Sequence, residues 1–216
     1  MNVISLDSTC MQEALREASM TMASGGVVCF PTETFYGLGA RYDDLAACEK
    51  LYRLKGRPHE KALPLIVGAR QTLGAVAGPA GEIEALLMDR FWPGPLTILF
   101  HARPDLPAFV TGGRPGRVAV RIPGRSFALA LARSVGYPIT ATSANLSGMP
   151  AAERPDDVRR YFDDRPDLLI DGGRTPGGLS STIVEVREGV VEVVRQGAVS
   201  RDAIALVLHS QGYRLK

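Results

Sequence analysis

Only three cysteines occur in this chain, Cys10, Cys29 and Cys48, and they are too far apart for a metal knuckle or a redox pair. Their odd number excludes a disulfide framework, so they read as reduced, small apolar side chains. Histidine is as sparse: His59, His101 and His209 are scattered and give no zinc-ligand spacing, so no metal-binding residue is assigned. Neither a Walker loop nor a paired Gly-x-Gly-x-x-Gly fingerprint is present, which excludes the two commonest cradles for a nucleotide. There is no Gly-x-Ser-x-Gly elbow to carry a hydrolase nucleophile. No apolar run approaches the roughly 20 residues of a membrane span. The opening residues 1–7 lack the basic start and apolar centre of a secretory leader, so the expectation is a cytoplasmic protein free of the membrane. Charge of one sign is lacking too, since 25 Lys and Arg against 23 Asp and Glu leave +2, too little to demand a nucleic-acid partner.

What is present suits a globular enzyme-sized fold. With 216 residues and 45% hydrophobic content the chain can bury a full core, and residues 1–216 are expected to form one domain. Asp7 and Ser8 offer a cap for a helix over 11–23, closed by Gly25-Gly26 and followed by a buried strand over 27–30. A second helix follows the cap signal Asp43-Asp44 and ends at Gly56 and Pro58. Further helices are predicted at 82–91, 126–134, 156–162 and 203–209, the last capped by Ser200. Strands are predicted at 63–67, 96–100, 118–122, 137–142 and 168–170, and a hairpin joins 182–186 to 190–194 through Glu188-Gly189. Strands alternating with helices and then running consecutively imply an α/β fold with a twisted mixed sheet and flanking helices. The glycine-rich run Asp171 to Gly178 suits either a lid or a tight reversal.

Several segments carry chemistry. After the first strand, Thr32-Glu33-Thr34-Phe35-Tyr36-Gly37-Leu38-Gly39 has a binding loop's composition, hydroxyls and a carboxylate with two glycines that let backbone approach a ligand. Lys55 sits in the last turn of its helix, where a cation opposes the negative helix end. Arg57 and Lys61 lie beyond that turn, and a phosphate or plain solvent would suit them equally. From His101 to Val135 there are six arginines, Arg103, Arg114, Arg117, Arg121, Arg125 and Arg133, against the single acid Asp105. Arg121 interrupts an apolar strand, so it needs a partner there: a ligand carboxylate, or an internal acid such as Glu33 or Glu185. Arg114 and Arg125, in Gly/Pro-rich flanks, are expected to face water. Ser143 and Asn145 stand at a strand end, where they can contact a ligand or cap the following turn.

Read in order, Phe30-Pro31-Thr32-Glu33-Thr34-Phe35-Tyr36-Gly37, Lys55-Gly56-Arg57-Pro58, Phe91-Trp92-Pro93-Gly94-Pro95-Leu96-Thr97, Val118 to Pro123 and Thr142-Ser143-Ala144-Asn145-Leu146-Ser147-Gly148 closely resemble the YrdC-like family. With Ser181 to Val184 and Arg195-Gln196-Gly197-Ala198, the resemblance covers nearly the whole chain. It implies the YrdC-like fold and the threonylcarbamoyl-adenylate synthase reaction, which begins N6-threonylcarbamoyladenosine synthesis in transfer RNA. In that reaction ATP, L-threonine and bicarbonate give threonylcarbamoyl-AMP and pyrophosphate, with Mg2+ bridging phosphate oxygens through few protein contacts.

Carried over residue by residue, the resemblance implies Thr34, Arg121 and Ser181 for threonine, and Arg57, Lys61, Ser143, Asn145 and Arg195 for ATP. Lys55, Thr32, Ala141, Ala151 and Arg117 are further candidates. No residue is expected to act as a covalent catalyst. Transfer RNA or double-stranded RNA and the downstream threonylcarbamoyl transfer proteins are the expected macromolecular partners. The chain departs from the family in having Ala62-Leu63 before Pro64-Leu65, and Gly68 near an expected histidine. By the resemblance it is expected to correspond to the short family form, without the extra C-terminal domain. The rival readings are a non-catalytic double-stranded RNA-binding module and a relative that forms carbamoyl-AMP.

Overall fold

The computed structural model describes residues 1–7, 9–112, 116–163 and 165–216. In chain order the first half comprises β1 (Asn2–Ser5), α1 (Met11–Ala23), β2 (Val28–Pro31), β3 (Tyr36–Gly39), α2 (Leu45–Lys55), β4 (Leu65–Ile66), a 3-10 segment (Arg70–Ala75), α3 (Glu82–Phe91) and β5 (Leu96–His101). The second half comprises α4 (Ala108–Thr111), β6 (Arg117–Arg121), α5 (Phe127–Val135), β7 (Ile139–Thr140), β8 (Thr142–Ser143), α6 (Pro155–Phe162), β9 (Leu168–Asp171), β10 (Thr182–Arg187), β11 (Val190–Arg195), α7 (Arg201–His209) and β12 (Arg214–Leu215).

The expected mixed α/β class with flanking helices holds, and the strands are divided between two sheets. The smaller has the order β1-β9-β2-β3-β8 and the larger β12-β11-β10-β5-β6-β4-β7. Both mix parallel and antiparallel pairs. Alternation assigns the faces of the smaller sheet. Val28 and Phe30 pack with Ala14, Met22, Phe127 and Leu131, so α1 and α5 cover one side. Cys29 and Leu169 point the other way, into the main core with Cys48 and Leu51 of α2 and Val158 and Phe162 of α6. In the larger sheet, Leu96, Ile98, Val118, Val120 and Val184 face that same core, covered by Ile83 and Leu87 of α3 and Ile204 and Leu208 of α7. By the same alternation the opposite face carries Thr97, His101, Arg117, Arg121 and Glu185.

Local signals explain most element ends. Asp44 accepts from Ala47 N at 2.9 Å to start α2, and Gly56 closes it at φ 55°. Ser126 and Ser200 likewise cap α5 and α7. The hairpin turn places Glu188 and Gly189 at φ 49° and 76°, the left-handed pair that two-residue turns require.

Three expectations are corrected. The first helix has Cys10 at its N-cap with no side-chain bond, so Asp7 is too far upstream to cap it, and Ser8 lies outside the described residues. The strand predicted over 137–142 is two short strands in different sheets: β7 pairs with β4 and β8 with β3. Between them Ala141 donates its N–H to Pro64 O at 2.8 Å, where the chain steps from one sheet to the other. Third, residues 36–39 form β3 rather than a loop, because Gly37 and Gly39 allow close packing inside the sheet. A Cβ on Gly39 would stand 2.2 Å from Thr140 O, and one on Gly37 would stand 2.9 Å from the Phe30 ring.

Candidate functional site

The step at Ala141 brings the edges of the two sheets together, and a pocket enclosing about 180 Å³ lies at this junction. The smaller sheet contributes Thr32 and Thr34 from the β2–β3 connection, Gly37 from β3 and Ser143 from β8, with Ala141 beside it. The larger sheet contributes Thr97, Arg121, Ile183 and Arg195, while Arg57 enters from the segment after α2 and Ser180-Ser181 from the approach to β10.

The β2–β3 turn is built by Thr32. Its Oγ accepts from Thr34 N at 3.1 Å and Phe35 N at 3.2 Å and donates to Phe35 O at 2.7 Å, a local side-chain turn that presents Thr34. The glycine-rich segment is pinned beside it. Tyr36 donates its hydroxyl to Gly173 O at 2.8 Å and accepts from Gly172 N at 3.1 Å, and Gly177 N donates to Thr34 O at 2.7 Å. Burial pushes the Tyr36 hydroxyl up to about 12, so it stays a neutral donor. These bonds favour the tight reversal over the lid.

Three guanidinium groups converge here. Arg57 donates Nε to Lys61 O at 3.1 Å and Nη2 to Ala62 O at 2.7 Å, which fixes its plane through backbone. Arg195 donates Nη2 to Ser181 O at 2.7 Å and to Ser181 Oγ at 3.2 Å. Ser181 Oγ in turn lies 2.9 Å from Thr97 Oγ. Arg121 forms an ion pair with Glu33, one of the two internal acids that the sequence offers it. Burial lowers the affinity of all three for their protons. For Arg195 the charges of Arg121 and Arg57 add to that effect, and for Arg121 the Glu33 carboxylate opposes it. Among the described residues, no carboxylate lines the pocket. Such a cluster is stabilised by an anion with several oxygens, a phosphate chain or a carboxylate.

Of the sequence candidates, Thr32, Thr34, Arg57, Arg121, Ala141, Ser143, Ser181 and Arg195 line this pocket, and Lys55, Lys61, Asn145, Ala151 and Arg117 do not. Lys55 is buried and donates Nζ to Asn145 O at 2.7 Å, to Asn145 Oδ1 at 3.1 Å and to Ser143 O. Burial, with a smaller push from Arg57, brings its ammonium down to about 7. Asn145 spends its amide on Leu146 O and Met149 O and takes the Ser143 hydroxyl at 2.6 Å. Lys55 and Asn145 thus shape the loop that presents Ser143. Lys61 is exposed, with its carbonyl turned to Arg57. Arg117 sits at the far end of β6, paired with buried Glu185 at 2.7 Å. Arg125 is exposed as expected, and Arg114 lies outside the described residues. Sequence reasoning assigned no role to Thr97 or Ser180, although Thr97 closes the Pro-Gly-Pro-Leu-Thr segment; a hydroxyl on the polar face of a strand was its only signal.

No helix among the described residues is long and apolar enough to cross a membrane. The Sua5/YciO/YrdC family model, described as telomere recombination, matches residues 20–197. Threonylcarbamoyl-AMP synthase of Bacillus subtilis (strain 168) is 38% identical over 195 residues, covering 90% of this chain and 56% of that protein. Threonylcarbamoyl-AMP synthase of Halorhodospira halophila is 36% identical over 187 residues, covering 87% of this chain and 93% of that one. Among solved structures, P. abyssi Sua5 complexed with L-threonine superposes with a TM-score of 0.89 at 32% identity, over 100% of this chain and 62% of that one. The chain therefore spans between half and two thirds of the length of the longer relatives it matches.

Proposed function

The chain belongs to the Sua5/YciO/YrdC family, and from that premise we propose that it is a threonylcarbamoyl-AMP synthase, joining L-threonine, bicarbonate and ATP into threonylcarbamoyl-AMP with release of pyrophosphate and of the water lost as the amine and bicarbonate form the carbamate. The observation that carries the reading is the convergence of Arg57, Arg121 and Arg195 on one hydroxyl-lined pocket that no carboxylate lines among the described residues. A reaction between two anions, a carbamate and a triphosphate, needs such a surplus of fixed positive charge.

The chemistry follows from those residues. A carbamate oxygen attacks the α-phosphorus in line, the bond to the bridging oxygen breaks, and pyrophosphate leaves. No covalent enzyme intermediate is needed, so positioning and electrostatics supply the rate. Arg57 and Arg195, with Lys61 reaching in from solvent, neutralise the phosphates. Arg121 takes the threonine carboxylate on the N–H groups that Glu33 leaves unused, while Thr34 and Ser181 flank the amino acid. Ser143, on the loop that Lys55 and Asn145 hold, contacts the nucleotide.

Among the described residues no group of three or more His, Cys, Asp or Glu side chains is placed to hold a metal ion. With no carboxylate in that lining, a magnesium ion fits only as a companion of the phosphates, and no step is routed through it. Transfer RNA, or double-stranded RNA, and the proteins that transfer the threonylcarbamoyl group belong to later steps, in the cytoplasm.

Mass spectrometry of a mixture of enzyme, ATP, L-threonine and labelled bicarbonate tests the reading. A threonylcarbamoyl adenylate carrying the label is expected. Its absence while the protein is folded and binds ATP would refute the assignment.

A further inference from the structure

Arg121 differs from the other two arginines of the pocket in what restrains it. Arg57 and Arg195 are anchored by neutral backbone carbonyls and a hydroxyl, whereas Arg121 is held by a charge. Only Nη1 engages Glu33, and no other partner of the guanidinium occurs among the described residues, so the remaining N–H groups are free for a ligand. The two side chains are 11% and 14% exposed, so the pair is largely shielded from water and weakly screened. Glu33 is itself seated against Gly124, where a Cβ would come within 3.0 Å of its Cγ and 3.5 Å of its Cδ. Its Oε2 is buried with no hydrogen-bond partner among the described residues. The carboxylate thus engages one guanidinium nitrogen and is not part of the pocket lining.

We propose that Glu33 is a positioning residue for the reaction. Seated on Gly124, it holds Arg121 by one edge so that the other edge meets the amino-acid carboxylate, and it cancels one of the three pocket charges. The amino-acid half of the site is thereby a nearly neutral, geometrically fixed fork, while the phosphate half keeps the uncompensated charge of Arg57 and Arg195. This division lets a monoanionic carboxylate compete for Arg121 against a polyphosphate that would otherwise spread over all three cations. The inference rests on the reading above for the identity of the amino acid, and not for the charge effect.

Two ligands binding with opposite sign separate this role from simple damage to the fold. Glu33→Gln keeps the shape and removes the charge, so the pocket gains one net positive charge. L-Threonine Kd, measured calorimetrically, should rise roughly 10- to 100-fold as the fork loses its fixed orientation. Inorganic pyrophosphate Kd should fall roughly three- to tenfold as one countercharge disappears. Gly124→Ala displaces Glu33 with no change of charge, so threonine binding should weaken while pyrophosphate binding holds. Thermal unfolding is followed for both variants to verify that the fold survives. Unchanged or tighter threonine binding in Glu33→Gln would overturn the proposal and show the carboxylate to be a competitor for Arg121. Weakening of both ligands together would overturn it in favour of a purely structural pair. If the unaltered protein binds no threonine, the reading of the substrate fails, and the pyrophosphate arm alone decides the charge role of Glu33.

Discussion

Replacing Arg121 by lysine keeps the positive charge and removes the fork. In the pocket Nη1 is spent on Glu33, and on the proposed reading the remaining N–H groups meet the amino-acid carboxylate, so that a single guanidinium would serve two anions. A lysine ammonium is a point donor on a flexible stem and cannot hold that planar double engagement. The nearby, largely shielded Glu33 carboxylate captures it first, and the ligand loses at least one charge-assisted hydrogen bond, worth about 1.5 to 3 kcal/mol. That corresponds to roughly a 10- to 150-fold weaker threonine Kd. ATP-analogue binding should change by less than about threefold, because the proposed reading gives the phosphates to Arg57 and Arg195. Alanine would be the poorer choice: leaving Glu33 buried and unpaired costs about 3 to 5 kcal/mol of stability, which would blur the reading. The assay is a pair of calorimetric titrations, L-threonine and a non-hydrolysable ATP analogue, against the unaltered protein and Arg121→Lys. Normal threonine binding by the variant, or loss of the ATP analogue instead, would refute the division of the pocket.

Further outcomes follow from other parts of the structure. Arg57→Ala should reduce kcat/KM for ATP by roughly 10- to 1000-fold, the scale of losing an electrostatic stabiliser, whereas exposed Lys61→Ala should lie at the low end of that range or below it; steady-state kinetics with ATP varied compares them, and equal effects would show that the Lys61 ammonium contributes as much to phosphate binding as the Arg57 guanidinium. Gly39→Ala places a Cβ 2.2 Å from Thr140 O in neighbouring backbone, so the fold should lose on the order of 1 to 3 kcal/mol by denaturant unfolding; full stability would show that the sheets separate there with ease. Lys55 has its ammonium lowered to about 7, while the unfolded chain keeps the proton to the ordinary value of 10.5. Between those two values the unfolded state binds more protons, so stability rises with pH across that window. Urea unfolding near pH 6.5 and 8.5 should therefore show a gain of about 2 kcal/mol that is missing in Lys55→Met. A variant with the same pH slope would place the titration elsewhere.

Much of the fold was legible because its signals are local. The bounds of α1 and α3 follow from helical spacing of apolar residues, and the hairpin from Glu188-Gly189, whose left-handed backbone is a property of two adjacent residues. What was illegible depends on distant partners. β1 is an edge strand of four residues with half its side chains exposed, and β12 has two residues, so neither carries an apolar run. The division of 139–143 between two sheets is decided by β4 and β3 and not by its own composition. The site shows the same contrast. Arg121 stood out because a charge broke an apolar strand, and its internal partner, Glu33, was one of the two acids foreseeable for the same reason. Lys55 was read as a helix-end cation because its acceptors lie 88 and 90 residues away, on a loop only the folded chain brings near.

The central claim is that the arginine pocket joins a carbamate to a nucleotide, and pyrophosphate release from ATP tests it most directly. The measurement supplies L-threonine and bicarbonate together, then withholds each in turn, and finally replaces threonine by serine. Release is expected only when both are present, and serine should be poorer by a factor of about five or more, the worth of one methyl group in a fitted pocket. Equal release without threonine or without bicarbonate would contradict the account, because the attacking group would then not be the carbamate.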